Sequence, residues 1–260
     1  MKLIIGHSGL VGTTLTSTTS FDYYFNSTNI QDFSSICKDG AEITLTCLPA
    51  TKWLVNQNIS KDIDNINNLL AILSKYKYSK ITLISTIDVY QQSPLGANED
   101  YIINLNRLDY GANRYLFELL VQSTIVADSF KIFRLPAVFS ASIKKNILYD
   151  LMNNNNVSSI NNNSAYQWYN LDNLNNDITT YSAKYPDRIV YNLFSEPLDT
   201  AELVALFPHH QHQVLHGATR VAYNYTTTLH SSGYIYTKQQ VLQDIKTLVH
   251  ETSNKQFSLE

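Results

Sequence analysis

The sequence predicts an α/β fold with a doubly wound parallel sheet and a small C-terminal α/β lobe. Three observations predict it. Segments of strand type alternate with helical segments from the N-terminus to residue 135, a glycine-rich turn follows the first strand, and an asparagine-rich stretch begins near residue 146. Alternation of this kind gives a parallel sheet with helices on both faces, and ligands bind at the carboxyl ends of its strands.

The strand patterns of the first part are apolar or alternating runs at residues 2–5, 22–26, 42–48, 81–84 and 130–135. Apolar residues at helical spacing predict a helix over 62–76, and a second helix is expected over 107–121. The asparagine-rich runs 153–156 and 161–163 disfavour regular structure and predict a loop. We therefore expect a dinucleotide-binding domain over 1–142 and a smaller substrate-binding lobe over 143–260 that is interleaved with the first domain, with an approximate boundary.

The smaller lobe has shorter patterns. Strands are expected at 165–170 and 188–193, and helices at 171–181, 200–207 and 237–251.

The composition excludes several classes of protein. A net charge of −3 with scattered lysine and arginine gives no surface for nucleic acid or an anionic membrane. The apolar runs are too short to span a bilayer, and no signal peptide is expected, so a cytoplasmic location is predicted. The two cysteines, Cys37 and Cys47, are expected to be reduced and buried. No metal site is predicted, because His209, His210 and His212 have no acid or cysteine near them in sequence and are expected to be solvated.

A turn with glycines at three-residue spacing predicts a dinucleotide site. Gly6, Gly9 and Gly12 follow the first strand and lead into a helix. Glycines at this position permit a tight turn and a close approach of backbone amides to a pyrophosphate, which also meets the positive end of the helix. The predicted contacts in the turn include Ser8, Leu10 and Val11. The plainer interpretation is an ordinary strand-to-helix turn.

The ends of the next two strands should contact the same cofactor. Asn26 stands where a carboxylate would favour NAD and an arginine NADP, so the choice between them stays open. Leu48, Pro49 and Ala50 end the third strand, where small residues would let the cofactor lie flat.

The stretch from Ile81 to Glu118 carries the predicted chemistry. A buried strand ends at Thr86, and Tyr110 lies four residues before Arg114 in a helical pattern. The ordinary pKa of tyrosine is about 10, and a cation on the same helical face is expected to lower it. Thr86 would then hold a substrate oxygen while Tyr110 exchanges its proton. A half-buried structural tyrosine is the plainer alternative.

Taken together, the motifs resemble the extended short-chain dehydrogenases/reductases, the group of NAD-dependent epimerases, dehydratases and reductases that modify nucleotide sugars on a Rossmann-like fold. The resemblance covers nearly the whole chain. Besides the three glycines, Thr86 precedes a Val-Tyr pair, Tyr110 and Arg114 match Tyr-x-x-x-Lys in part, and segments 134–140, 167–173 and 191–196 match loosely in the same order.

The resemblance implies roles for individual residues. Tyr110 would be the general acid/base and a cofactor contact, Thr86 would position the sugar oxygen, and Arg114 would replace the lysine that bonds the nicotinamide ribose. Asp88 matches a carboxylate that removes a proton in dehydratases, although a simple turn-capping aspartate is an alternative. Further matches are Pro136 at the cofactor and Asn146 and Gln167 at the sugar nucleotide. Homodimerisation through the helices at 62–76 and 107–121 is also implied.

Two departures leave the function open. Arg114 cannot copy a point ammonium at the same hydroxyls, and Gln167 replaces an arginine that meets phosphate. The first hypothesis is an NAD(P)-dependent oxidoreductase, epimerase or dehydratase acting on a sugar or nucleotide sugar. The second is a catalytically impaired dinucleotide-binding protein, a sensor or partner subunit. The third is a structural protein that has lost the cofactor as well.

Overall fold

The computed structural model describes the backbone of residues 1–257 and the side chains of residues 1–252. Its strands, in chain order, are β1 (Lys2–Ile5), β2 (Tyr23–Phe25), β3 (Ala41–Leu45), β4 (Lys77–Thr86), β5 (Val126–Ala127), β6 (Phe130–Leu135), β7 (Ala137–Phe139), β8 (Ala165–Tyr166), β9 (Trp168–Asn170), β10 (Val190–Asn192) and β11 (Leu198–Asp199).

The α-helices, in the same order, are α1 (Leu10–Thr18), α2 (Phe33–Ile36), α3 (Lys52–Gln57), α4 (Ile59–Leu73), α5 (Tyr110–Thr124), α6 (Ile147–Met152), α7 (Leu174–Lys184), α8 (Thr200–Val204) and α9 (Lys238–Phe257). A 3₁₀ turn, Ile87–Tyr90, follows β4 directly. None of the described helices is long and apolar enough to cross a membrane.

The chain forms two compact units, of which the first comprises Met1–Leu135 and Asn173–Asn192. Within the described residues its sheet has seven strands, in the order β10-β6-β4-β3-β1-β2, with β5 also paired to β4. All of these pairs are parallel. The predicted doubly wound parallel sheet is confirmed, and its carboxyl edge brings together the residues that follow β1, β3 and β4.

The core of this unit is apolar, as the strand patterns require. Ile43 and Leu83 of the sheet pack in one buried cluster with Ile66 of α4 and with Phe117 and Val121 of α5. Burial of side chains of this size contributes about 1.5–3 kcal/mol each. These helices therefore fix the positions of the turns that precede them.

Two elements expected in the second lobe belong to the first unit. β10 pairs with β6, and α7 precedes it within the same unit. The buried Lys131 of β6 donates hydrogen bonds to the carbonyls of Pro186 and Arg188 and to the Tyr191 hydroxyl, 3.1 Å away. The compact units therefore differ from the ranges 1–142 and 143–260, whose last three residues lie outside the described part.

The second unit comprises Pro136–Asp172 and Leu193–Glu260. It contains a parallel pair, β7 with β9, and an antiparallel pair, β8 with β11. The asparagine-rich runs follow α6 in the chain and form turns, as expected of residues that hydrogen-bond to their own backbone. Asn154 and Asn156 adopt left-handed conformations with φ of 51° and 46°.

Candidate functional site

The glycine-rich turn forms a cradle that only glycine permits at two positions. Gly6 has φ of +97°, and a Cβ there would lie 2.6 Å from the carbonyl carbon of Thr46. A Cβ on Gly12 would lie 2.1 Å from the Gly6 carbonyl oxygen, whereas one on Gly9 would make an ordinary contact at 3.5 Å. α1 begins directly after Gly9, with no side-chain cap and no acidic residue in its first turn. The turn therefore presents unshielded backbone N–H groups, and these residues fit a pyrophosphate.

The end of β2 lies against this turn. The Asn26 side-chain amide nitrogen is 3.3 Å from His7 Nε2 and 3.4 Å from Ser8 Oγ. Its Oδ1 accepts hydrogen bonds from the backbone and hydroxyl of Thr28. Asn26 is therefore beside the cradle, as predicted, but it has no charge that would select between NAD and NADP.

The segment after β3 continues along the same edge. Leu48 packs against the core, whereas Pro49 and Ala50 are exposed. The Pro49 carbonyl accepts a hydrogen bond of 2.7 Å from Arg114 Nη2, which anchors this segment to α5. The remaining predicted cofactor contact, Pro136, is buried at the start of the second unit.

The turn after β4 holds two of the predicted catalytic residues. The Thr86 hydroxyl accepts a hydrogen bond from the Asp88 backbone N–H at 3.2 Å and lies 3.4 Å from Asp88 Oδ2. Lys52 Nζ, from the first residue of α3, forms an ion pair with Asp88 Oδ1 at 2.8 Å. The neighbouring Ser85 hydroxyl donates instead to Glu118. The Thr86 hydroxyl donates to Asp88 Oδ2 over a longer distance, 3.4 Å, than the 2.5 Å from Ser85 to Glu118, so Thr86 is the less tightly held of the two hydroxyls.

The start of α5 is held against this turn by close backbone packing. A Cβ on Gly111 would lie 2.0 Å from the Asp88 carbonyl oxygen, so only glycine fits there. The Tyr110 backbone N–H donates to Asn56 Oδ1 at 2.8 Å, and Asp109 caps the helix by accepting from the Ala112 N–H at 2.8 Å. These contacts bring Tyr110 to the turn that contains Asp88.

Arg114 is committed to partners within the protein. Its Nη1 lies 2.7 Å from Asp62 Oδ2 and its Nη2 lies 3.1 Å from Asp62 Oδ1, in a pair whose side chains are 5% and 3% exposed. Nη2 also donates to Pro49, as described above. The guanidinium lies over the Tyr110 ring, 4.4 Å from its centroid. Asp62 and the Pro49 carbonyl therefore hold both terminal nitrogens of Arg114, whereas its buried Nε has no hydrogen-bond partner among the described residues.

The expected lowering of the Tyr110 pKa is wrong. Burial raises the pKa of Tyr110 above its ordinary value; the nearby Arg114 charge lowers it, and the carboxylate of Asp88 raises it further. The side chain is only 8% exposed, so desolvation of a phenolate outweighs the attraction of the cation. At neutral pH Tyr110 is therefore a neutral phenol.

Two of the three predicted substrate contacts, Gln167 and Asn146, lie in the second unit and differ in their surroundings. Gln167 is 1% exposed. Its amide nitrogen donates to the Ser195 and Tyr225 carbonyls, and its Oε1 accepts from the Tyr225 N–H. A side chain so enclosed fixes backbone segments, which argues against its predicted substrate contact. Asn146 caps α6 from a strained backbone with φ of +133°, and its Nδ2 donates to the Val138 carbonyl. Strain of this kind is found at functional sites.

The three clustered histidines differ in exposure, because His209 and His212 are exposed, as expected, and His210 is not. His210 is buried, contrary to the expectation that it is solvated, because its ring nitrogens lie 3.1 Å from the Leu151 carbonyl and 3.3 Å from Gln213 Oε1. The described side chains contain no cluster of three or more histidine, cysteine or acidic residues that could hold a metal. Cys37 and Cys47 are both free; Cys37 is buried and Cys47 is partly exposed.

Three residues of the site could not be found in the sequence. Lys52, Asn56 and Asp62 lie on α3 and α4, and each contacts a predicted site residue more than 30 positions away. Their only signal was proximity to the end of β3, where ligands were expected.

Comparison with known proteins supports the fold. No protein-family model matches the chain, and no curated protein matches it in sequence. Among solved structures, MoeE5 in complex with UDP-glucuronic acid and NAD matches with a TM-score of 0.75 and 13% identity, over 98% of this chain and 99% of that one.

Two further structures match over most of both chains. TunA, an NAD-dependent NDP-hexosamine 5,6-dehydratase involved in tunicamycin biosynthesis, has a TM-score of 0.67 and 15% identity over 89% of this chain and 90% of its own. The dTDP-4-dehydrorhamnose reductase from Yersinia enterocolitica has a TM-score of 0.71 and 12% identity over 96% and 99%. The chain therefore has the Rossmann-like fold that these nucleotide-sugar enzymes share.

Proposed function

We propose that this protein is an NAD(P)-dependent oxidoreductase that acts on a sugar, with a nucleotide sugar as the expected substrate. The observation that carries the proposal is the packing of Gly111 on the Asp88 carbonyl, which brings Tyr110 to the turn that holds Thr86. The glycine cradle lies at the same edge of the same sheet. A phenol and a hydroxyl can exchange and orient the proton at a sugar oxygen, and an anion-binding turn can hold the dinucleotide that would exchange the hydride.

The protonation state of Tyr110 favours one direction of reaction. A neutral phenol donates a proton to a ketone oxygen, whereas oxidation of an alcohol needs a phenolate, which burial and Asp88 disfavour. A bound nicotinamide would supply or accept the hydride. We therefore propose that at neutral pH Tyr110 is ready to donate a proton in the reduction of a sugar ketone, with the Thr86 hydroxyl orienting the oxygen that receives the proton.

Asp88 and Lys52 extend this site. The Lys52 side chain is a third exposed and pairs with Asp88 at 2.8 Å, so it places a positive charge beside the turn that contains Asp88. The charge of Arg114, by contrast, is buried and paired with Asp62, so it is not exposed to solvent. Asp88 and its lysine would hold the turn that presents Thr86.

The substrate class comes from the similar structures. They contain or act on nucleotide sugars, namely UDP-glucuronic acid, an NDP-hexosamine and dTDP-4-dehydrorhamnose. The strained Asn146 supports a ligand contact in the second unit. Which sugar and which nucleotide are bound stays a matter for experiment.

One observation favours a second candidate, a dinucleotide-binding protein without turnover. Both terminal nitrogens of Arg114 hydrogen-bond within the protein, to Asp62 and to the Pro49 carbonyl, which leaves fewer donors for the nicotinamide ribose. Such a protein would bind NADH or NADPH through the cradle and act as a sensor or partner subunit.

The two candidates separate on turnover. NADH and NADPH binding is measured by fluorescence, and nicotinamide absorbance is followed with UDP-glucose, UDP-glucuronic acid and dTDP-4-dehydrorhamnose. The enzyme proposal expects turnover that falls at least ~100-fold in Tyr110→Phe, with cofactor affinity unchanged. Cofactor binding without turnover of any of these sugars supports the second candidate. Failure to bind either cofactor contradicts both.

A further inference from the structure

The buried side chain of Arg107 has no hydrogen bond to a carboxylate among the described residues. Its side chain is 7% exposed, yet Nε and Nη1 have no hydrogen-bond partner among the described residues. Its one hydrogen bond runs from Nη2 to the Val89 carbonyl, at 3.1 Å. The nearest carboxylate oxygen, on Asp109, is 3.8 Å from Nε, which is beyond hydrogen-bond distance.

The other buried arginines of the first unit show what is missing. Arg114 and Arg134 each direct two nitrogens at one carboxylate, that of Asp62 and that of Glu118. Buried guanidinium groups are stabilised in this way because their charge and their donors must both be satisfied. Arg107 has only the Asp109 carboxylate, at 3.8 Å, to balance its charge, and its Nε and Nη1 have no hydrogen-bond partner among the described residues.

Arg107 also lies beside the proposed reaction centre. Its Nη2 binds the carbonyl of the residue that follows Asp88, and the same nitrogen would be 3.4 Å from a Cβ on Gly111. Gln91 directly follows the 3₁₀ turn Ile87–Tyr90, and its buried Oε1 also has no hydrogen-bond partner among the described residues. Polar groups without partners therefore gather around the turn that contains Asp88.

We propose that Arg107 binds an oxyanion, a carboxylate or a phosphate, carried by the substrate near its reacting carbon. A planar guanidinium matches the oxygens of either group. Leu108, the next residue, is 85% exposed, so the chain beside Arg107 lies at the protein surface, where a ligand can approach. The identification of the anion as part of the substrate rests on the proposed function, whereas anion binding by Arg107 does not.

The test observes Arg107 directly in the full-length protein. Side-chain Nε–H signals are recorded by ¹⁵N NMR, and that of Arg107 is assigned by its loss in Arg107→Lys. Sodium glucuronate and sodium phosphate are titrated separately, with glucose and sodium chloride as controls. We expect a saturable shift with glucuronate, with phosphate or with both, which identifies the anion, and none with the controls. The Arg134 signal should stay unchanged because its Nε is bound to Glu118.

Calorimetry with the anion that shifts the signal supplies the second measurement. Arg107→Gln is expected to weaken its binding by roughly tenfold or more. The absence of a saturable shift with both anions, or an equal shift with chloride, overturns the proposal. NADH binding and turnover are measured in the same samples, so an anion site without turnover refutes the proposed function and leaves this site standing. If Arg107→Gln does not fold, the NMR titration of the wild type still decides.

Discussion

Replacing Arg114 by lysine tests what this residue does. The change restores the residue that the resemblance leads one to expect at this position. A lysine ammonium can reach one oxygen of Asp62, but it cannot also bond the second oxygen and the Pro49 carbonyl, which now accept hydrogen bonds of 3.1 and 2.7 Å. Two charge-assisted hydrogen bonds at about 1.5 kcal/mol each give a loss of about 3 kcal/mol. At about 2–4 °C per kcal/mol, the melting temperature should fall by about 6–12 °C.

The assay is urea and thermal unfolding of Arg114→Lys and wild type, alongside turnover with the sugars named above. Arg220→Lys is the matched control, because Arg220 also pairs with an aspartate at 2.8 Å but both side chains are about half exposed. Its loss should stay below about 1 kcal/mol. A stable Arg114→Lys protein with faster turnover would show that the residue serves the cofactor and that the structural role argued above is wrong.

Three further predictions concern the cradle, a buried tyrosine and the Lys52 ion pair. Gly12→Ala should lose about 1–3 kcal/mol of unfolding free energy and should also lose NADH binding, because its Cβ would lie 2.1 Å from the Gly6 carbonyl oxygen. Gly9→Ala should keep its stability in the same urea titration, because its Cβ would make an ordinary contact at 3.5 Å. Burial raises the pKa of Tyr90 to about 12 in the folded protein, whereas the pKa of a tyrosine in the unfolded chain is about 10. The unfolded chain therefore loses this proton first, and the stability that is fully present below pH 10 declines by up to about 2.5 kcal/mol as the pH approaches 12. Urea unfolding from pH 9 to pH 11 should show a shallower decline for Tyr90→Phe, and parallel slopes would contradict the assignment. Lys52→Met and Asp88→Asn should show a coupling energy of about 0.2–1 kcal/mol in a double-mutant cycle, as expected for a partly exposed pair; strictly additive losses would mean that the pair does not form in solution.

Local patterns predicted the elements and turns well, because those features depend on neighbouring residues. The strand over 130–135 is confirmed, and so is the glycine turn, in which Gly6 and Gly12 are required by backbone contacts. The helix over 62–76 begins earlier, at Ile59, because Asn58 provides a side-chain cap that was not recognised. The helix over 107–121 begins at Tyr110, because Asp109 caps it.

The electrostatics of the site could not be predicted, because they depend on burial and on distant partners. The sequence shows Arg114 four residues after Tyr110 but not Asp62, which lies 52 positions before the arginine. It likewise does not show that Tyr110 is desolvated, and that effect reversed the expected shift of its pKa. Lys52 and Arg107 gave no recognisable motif. Homodimerisation and a cytoplasmic location stay predictions.

The return of β10 to the first sheet has a consequence for synthesis of the chain. β6 is made by residue 135, but its outer partner is complete only at Asn192, after a whole excursion into another compact unit. During translation the backbone edge of β6 stays unpaired for more than fifty residues, and unpaired edges are where chains associate wrongly. A fragment that stops before residue 190 would carry this open edge permanently, so the nascent protein depends on its later segments to protect its earlier ones.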